Sequence, residues 1–91
     1  MERTYTVVLL KETVGGYSVH VPALPGCHTQ GDDLPEALRM AREAMELYLE
    51  DVLATGETPP EDVETLAFSM RGAREANVYR LSVAVEAAAV A

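Results

Sequence analysis

The chain has 91 residues, of which 48% are hydrophobic and 5% aromatic, and its formal net charge is −8. This length predicts one domain, 1–91, with a small core, since short chains bury a modest share of their apolar surface. Residues 32–64 hold 11 of the 15 acidic residues and only two arginines, a local charge of −9. An acidic surface repels the phosphate backbone, so we expect no direct binding of nucleic acid.

The cellular location is predicted from three sequence features. The only cysteine, Cys27, allows no disulfide within the chain, which is typical of a reducing compartment. The chain starts with an alternating strand pattern rather than a signal peptide. Its apolar runs are shorter than the roughly 20 residues that span a bilayer. We therefore expect a cytoplasmic protein without a membrane segment.

The first two strands are predicted from apolar side chains that recur with a period of two. Residues 4–10 are apolar on both sides, which indicates a central strand. Residues 17–21 alternate strictly, with Tyr17, Val19 and Val21 on the inner side. Two glycines between these runs, at positions 15 and 16, favour the tight turn of an antiparallel hairpin.

The stretch after the second strand is rich in turn-forming residues. Residues 27–31 are compatible with a short third strand. Prolines and glycines on either side of that run break regular structure and let the chain bend. The four residues expected to shape these turns are Pro22, Pro25, Gly26 and Gly31.

One long amphipathic helix is predicted in the acidic segment. Asp33 is the expected N-cap, and Glu36 three residues later completes a capping-box pattern. Gly56, followed by two prolines, is the expected end of the helix. Apolar residues recur in steps of three and four, which predicts that one face packs on the sheet. They are Leu34, Ala37, Leu38, Ala41, Met45, Tyr48, Leu49 and Val52.

The last third of the chain is predicted to hold one more strand. Residues 57–76 show no sustained period and are interpreted as an irregular excursion. Residues 77–85 alternate, and the alanine-rich tail, 86–91, is expected to fray. The inward side chains of this strand are Tyr79, Leu81, Val83 and Val85. The order β-β-β-α-β predicts an α+β domain in which one helix covers one face of a small, mainly antiparallel sheet.

Residue types that could carry chemistry do not form a recognisable motif. Cys27 and His28, with His20 nearby, include metal-ligand types, but adjacent residues rarely reach one ion and no second pair follows. Ser18, His20 and Asp32 include the types of a hydrolase triad, but no nucleophile elbow surrounds the serine. We predict no catalytic residue, no metal and no cofactor.

Several short motifs, taken in order, resemble the HicB family. They are VPALPGC at 21–27, TQGD at 29–32, EA at 36–37 and AMELYL at 44–49. The resemblance covers residues 4–56 closely and the final strand more loosely. It implies a truncated ribonuclease-H-like fold that has lost nuclease activity, in agreement with a predicted first strand, residues 4–10, that contains no acidic residue.

The resemblance also implies a function. HicB proteins are typically antitoxins that bind and block HicA, a small, basic, RNA-cleaving toxin, so the implied role is non-catalytic binding of a HicA-type toxin. Many HicB proteins carry a C-terminal DNA-binding module, and a chain ending just after its last strand is not expected to supply one. Two alternatives remain: an orphan HicB-like domain that binds another protein or a small ligand, and a residual enzyme that uses His20 or His28.

Charge and topology predict two interaction surfaces. A basic toxin favours acidic contacts, and the predicted partner-binding residues are Asp32, Glu36, Glu43, Glu46 and Glu50. A small core also favours a homo-oligomer, a dimer or tetramer, held by the edge of the last strand. The predicted edge residues are Val78, Arg80, Ser82 and Ala84.

Overall fold

The alternating segments form one antiparallel sheet in a computed structural model of the chain, which describes residues 1–86. The elements are β1 (Glu2–Glu12), β2 (Tyr17–His20), β3 (His28–Gly31), α1 (Leu34–Ala54) and β4 (Ala73–Ala84). Their order in the sheet is β3-β2-β1-β4, so that β2 and β1 are the two inner strands and β3 and β4 are the edges. The predicted α+β fold and the β-β-β-α-β order are confirmed. Within the described residues, no helix is long and apolar enough to cross a membrane.

β1 is apolar on both faces because both faces are covered. Tyr5, Val7 and Leu9 belong to the core that the sheet forms with α1. Val8 and Leu10 alternate with them, are also buried, and line a groove with residues 67–69 on the opposite face. The segment after the helix therefore provides part of a second covering layer.

The hairpin between β1 and β2 forms as predicted. Gly15 and Gly16 have φ values of 101° and 76°, which glycine adopts without a steric penalty. The Glu12 N–H donates to the Gly16 carbonyl at 3.0 Å. The register places Leu9 opposite Val19, so that both side chains enter the core on the helix side.

The turn predicted from Pro22, Pro25 and Gly26 joins β2 to β3. The Val21 N–H donates to the Cys27 carbonyl at 3.0 Å, which brings the two ends of the turn together. Gly26 has a φ of 81°, a value that a side chain would disfavour. The two prolines lie on the outside of this turn and are exposed.

Gly31 serves close packing rather than a turn, which corrects its predicted role. It is the buried last residue of β3, and its φ is not positive. A Cβ at this position would lie 2.5 Å from the backbone nitrogen of Ala37 and 2.6 Å from its Cα. The missing side chain thus lets the first turn of α1 lie directly against β3.

The N-terminus of α1 is capped as predicted, with one difference. The Asp33 carboxylate accepts a hydrogen bond from the Glu36 N–H at 2.9 Å. The Glu36 carboxylate in return accepts from the N–H of Asp32 at 2.8 Å, one residue before the cap. The predicted apolar face is the buried face, and its buried members are Ala37, Ala41, Met45, Leu49 and Val52.

The C-terminus of α1 ends in a Schellman arrangement. Gly56 has a φ of 79°, and its N–H donates to the Leu53 carbonyl at 3.1 Å. The next N–H, that of Glu57, donates to the Val52 carbonyl at 3.0 Å. These bonds satisfy carbonyls that the helix itself leaves without a partner.

The last strand is longer than predicted. β4 begins at Ala73, so the predicted excursion over 57–76 is wrong for its final residues. Residues 73–76 include alanine and glutamate, which have low intrinsic strand propensity, and their pairing is imposed by β1. The predicted fraying of 86–91 falls, for 87–91, outside the described residues.

Residues 57–72, here called the crossing segment, are attached to β1 by side-chain hydrogen bonds. The Tyr5 hydroxyl donates to the Pro60 carbonyl. The Thr6 N–H and hydroxyl donate to the two carboxylate oxygens of Asp62, at 2.9 and 2.7 Å. These contacts bring the segment to the sheet despite its irregular backbone.

The Asp62 carboxylate is held in its charged form. Partial burial raises its pKa, but hydrogen bonds from Thr6 and the Val63 N–H, with the Arg80 charge, outweigh burial and leave the pKa below its ordinary value. The Arg80 guanidinium lies 3.7 Å from the carboxylate, and the Asp62 side chain is 16% exposed. Asp62 therefore acts as an anchor whose strength depends on its charge.

Candidate functional site

The predicted acidic residues lie together along the outer surface of α1. Glu36, Glu43 and Glu50 are seven residues apart, so they align on the helix face opposite its buried residues. Glu46 flanks this row, and Asp32 lies just before the helix, where Glu36 bonds its N–H. We call these five residues the acidic face; each is exposed or partly exposed.

Only one end of the acidic face has an ion pair. Arg39 Nη2 lies 3.8 Å from Glu36 Oε2, and both side chains are well exposed, so this pair contributes little. Arg42 points away from the acidic face and donates to the Ser82 carbonyl at 2.8 Å. The C-terminal half of the face therefore keeps its charge without an ion pair among the described residues.

Leu47 is a surface residue that the charge pattern did not reveal. It is 67% exposed and follows Glu43 by four residues and precedes Glu50 by three, which places it on the same side of the helix. An apolar side chain ringed by carboxylates can enter an apolar pocket while the charges meet a basic rim. Its position on the helical wheel, opposite the buried stripe, is the signal that could have identified it.

A cavity of about 580 Å³ lies at the other end of the acidic face, between the β1–β2 hairpin and the first turn of α1. Three carboxylates contribute to its wall, those of Glu12, Asp32 and Glu36. Ser18 also lines it, and its hydroxyl donates to the Glu12 carboxylate at 2.5 Å. This lining favours a cationic group over a neutral or anionic one.

The residues considered for catalysis do not form a reactive pair. His20 and His28 are opposite each other on β2 and β3, with ring centroids 6.2 Å apart. The Ser18 hydroxyl bonds Glu12 rather than a histidine. Burial raises the pKa of the Cys27 thiol, which disfavours the reactive thiolate. Over residues 1–86, no group of three or more His, Cys, Asp or Glu side chains could hold a metal ion.

The predicted oligomer residues lie on the edge strand β4. Val78 is 49% exposed, and Arg80, Ser82 and Ala84 are also exposed. Within the part of the chain that the structure describes, β4 pairs on one side with β1 and has no strand on its other side.

The fold defines the class: a small α+β domain in which one helix packs on a four-stranded antiparallel sheet. Residues 5–90 match the family model of the HicB_like antitoxin of bacterial toxin-antitoxin system. The chain belongs to this HicB-like antitoxin family, whose members are generally non-catalytic. The family resemblance drawn from residues 4–56 is thereby confirmed.

Individual proteins show the same relationship. The UPF0150 protein ssr1765 of Synechocystis sp. is 47% identical over 58 residues, which are 64% of this chain and 73% of that protein. A chain in a toxin-antitoxin complex from Streptococcus pneumoniae has a TM-score of 0.75 at 20% identity, covering 92% of this chain and 70% of that one. The N-terminal domain of the Burkholderia pseudomallei antitoxin HicB has a TM-score of 0.61 at 24% identity, covering 89% and 95%. At these identities the two structures establish a shared fold.

Proposed function

We propose that this protein is a non-catalytic antitoxin that binds and occludes a HicA-type RNA-cleaving toxin in the cytoplasm. The observation that carries the proposal is the acidic face of α1, which presents carboxylates to solvent along one side of the helix. A toxin that binds RNA needs a basic surface, and a basic surface is what such a row of carboxylates attracts. Family membership and the fold shared with a chain of a toxin-antitoxin complex support the same function.

The two kinds of surface residue are expected to act at different stages of binding. Exposed carboxylates steer the approach of a basic partner and raise the association rate, an effect that salt screens. Leu47, at 67% exposure, gains stabilisation only once the partner covers it. Charge should therefore control how fast the complex forms, and Leu47 how slowly it dissociates.

The carboxylates are tested with the double variant Glu43→Gln and Glu46→Gln. Its association rate with a HicA-type toxin, measured by stopped flow, should fall about three- to tenfold at low salt and approach the wild-type rate at high salt. The matched control is Glu61→Gln with Glu64→Gln, which removes the same charge from two exposed carboxylates of the crossing segment. An equal loss in both double variants would contradict a localised acidic face.

Leu47 is tested separately with Leu47→Ala. Dissociation of the complex should become faster by about tenfold, with the association rate little changed, because an apolar contact is lost and no charge is altered. Surface plasmon resonance measures both rates. If only the association rate changed, or neither did, Leu47 would lie outside the interface.

An orphan role is the second candidate, and the cavity beside the hairpin favours it. Its three carboxylates suit a cationic ligand or the basic side chain of a different protein. A pull-down from lysate of the native source, followed by mass spectrometry, separates the two functions. Recovery of a small basic protein of HicA type supports the antitoxin; recovery of the bait alone, or of an unrelated protein, favours the orphan role.

A further inference from the structure

The direction of the main-chain groups in β4 follows from two sets of hydrogen bonds. Met1 and Val85 exchange bonds, since the Met1 amino group donates to the Val85 carbonyl at 2.9 Å and the Val85 N–H to the Met1 carbonyl at 2.7 Å. In an antiparallel ladder such mutually bonded pairs alternate with pairs that point away from each other. The odd-numbered residues of β4 therefore bond β1.

Thr6 shows the opposite orientation at the even-numbered positions. It lies directly across from Arg80, yet its N–H donates to Asp62, on the side away from β4. Its partner must likewise direct its main-chain N–H and C=O away from β1. The residues of β4 whose main-chain groups point to the open side are Ala76, Val78, Arg80, Ser82 and Ala84.

Apart from three charged side chains, Arg74, Glu75 and Arg80, this edge has little of the protection that edge strands usually carry. Residues 73–84 contain no proline and no lysine, and the irregularity in the ladder lies at the far end, beside Glu12. Arg42 covers one carbonyl, that of Ser82, near the other end. The central stretch, from Ala76 to Arg80, keeps unpaired donors and acceptors among the described residues.

We propose that two copies of this chain pair β4 with β4 in antiparallel fashion, about a two-fold axis at Val78. A row of alternating donors and acceptors is complementary to itself when one strand is reversed, so a second copy supplies partners for the open main-chain groups of residues 76–80. Centring the axis on Val78 places Val78 opposite its equivalent and Arg80 opposite Ala76 of the other copy. An axis at Arg80 would instead set two guanidinium groups opposite each other.

The side chains favour the same pairing. Val78 lies opposite Val8, on the sheet face away from α1, and is 49% exposed in one copy. The proposed axis brings the two Val78 side chains together and continues the apolar surface that Val8 and Phe68 begin. The two four-stranded sheets join into one, with both helices on the same face. The acidic faces, on the outer side of each α1, stay open for a partner.

The oligomeric state is measured by sedimentation equilibrium from micromolar to submillimolar concentration, with two variants at the axis. Val78→Pro removes an N–H that points to the open side and leaves the bonds to β1 intact, a position where proline is tolerated. Val78→Lys puts two ammonium groups opposite each other across the axis. Leu47→Lys is the control, since it makes the same change at an exposed apolar residue of α1.

The wild-type chain and Leu47→Lys should have twice the mass of the 9.9 kDa protomer. Both Val78 variants should raise the dissociation constant at least about tenfold, with an unchanged circular dichroism spectrum. A tetramer that falls to a dimer in both variants would also support the pairing. A monomeric wild-type chain, a folded Val78→Lys variant that associates like the wild type, or dissociation by Leu47→Lys would overturn it.

Discussion

At the scale of single residues, Asp62 replaces a strand neighbour that β1 lacks. The pairing of β2 with β1 ends at Val8, so the N–H of Thr6, which points to the β2 side of β1, has no strand partner. The Asp62 carboxylate accepts from this N–H and from the Thr6 hydroxyl. Because hydrogen bonds to an ionised acceptor are stronger than neutral ones, one side chain ties the crossing segment to the sheet.

Asp62→Asn should lower the free energy of unfolding by about 1–2 kcal/mol, because an amide has one acceptor oxygen for the two Thr6 donors. The folded pKa of Asp62 is depressed, so its stabilisation is present above its unfolded pKa of roughly 4 and is lost as pH falls through the folded value. Urea unfolding across pH should show the difference between the two proteins shrinking below about pH 4.

Glu61→Gln is the control for this prediction, since Glu61 is an exposed carboxylate next to Asp62 in sequence. It should be nearly neutral at every pH. A stability difference for Asp62→Asn that grew as the pH fell would mean that the charge of Asp62 does not stabilise the fold.

At the scale of elements, two glycines beside α1 have different physical roles. Gly31 leaves room, because a Cβ there would meet the backbone of Ala37 at 2.5 Å. Gly56 supplies a positive φ at the helix end, where a Cβ would meet nothing within 4 Å. The first role depends on how closely helix and sheet approach, and the second on the local backbone alone.

Gly31→Ala should therefore be more damaging than Gly56→Ala. The backbone of α1 would have to move away from β3, which should cost about 3 kcal/mol, the upper part of the range for an overpacked core. An alanine at position 56 would have to adopt the left-handed backbone conformation, which should lower the free energy of unfolding by roughly 1–2 kcal/mol. Chemical unfolding of the two single variants gives the comparison. Equal losses would show that α1 can shift away from β3 without disturbing the core.

At the scale of the whole molecule, the sheet is covered on both faces. α1 covers one face, and residues of the crossing segment line a groove with Val8 and Leu10 on the other. Val7 and Val8 are adjacent in β1, point to opposite faces and are both almost completely buried, at 0% and 1% exposure. The irregular segment thus protects apolar surface that a single helix could not reach.

Val7→Ala and Val8→Ala should each lower the free energy of unfolding by roughly 1–3 kcal/mol, because each removes buried methyl groups. The two losses should be similar, although only Val7 lies under the helix. Thermal unfolding by calorimetry measures both. A neutral Val8→Ala variant would show that the crossing segment does not pack on β1.

Local patterns predicted much of this protein because their physical causes are local. The period of the apolar residues defined α1 and its buried face, and Asp33, Glu36 and Gly56 marked its ends through hydrogen bonds to nearby backbone. The two faces of β1 identified it as the central strand. The four predicted acidic residues within α1 lie on its outer side, because their spacing and the helical period are enough to place them there.

The tertiary structure decided whatever depends on residues distant in sequence. Residues 73–76 are part of β4 because they form backbone hydrogen bonds with β1, although their intrinsic strand propensity is low. Asp62 emerged as a partner of Thr6 only once the chain was folded, because the two residues are 56 positions apart in sequence. By itself the sequence determined the elements and their inward faces, through periodicity and capping. Long-range pairing and packing decided where the crossing segment lies, why position 31 requires glycine, and that β4 is an edge strand of the sheet.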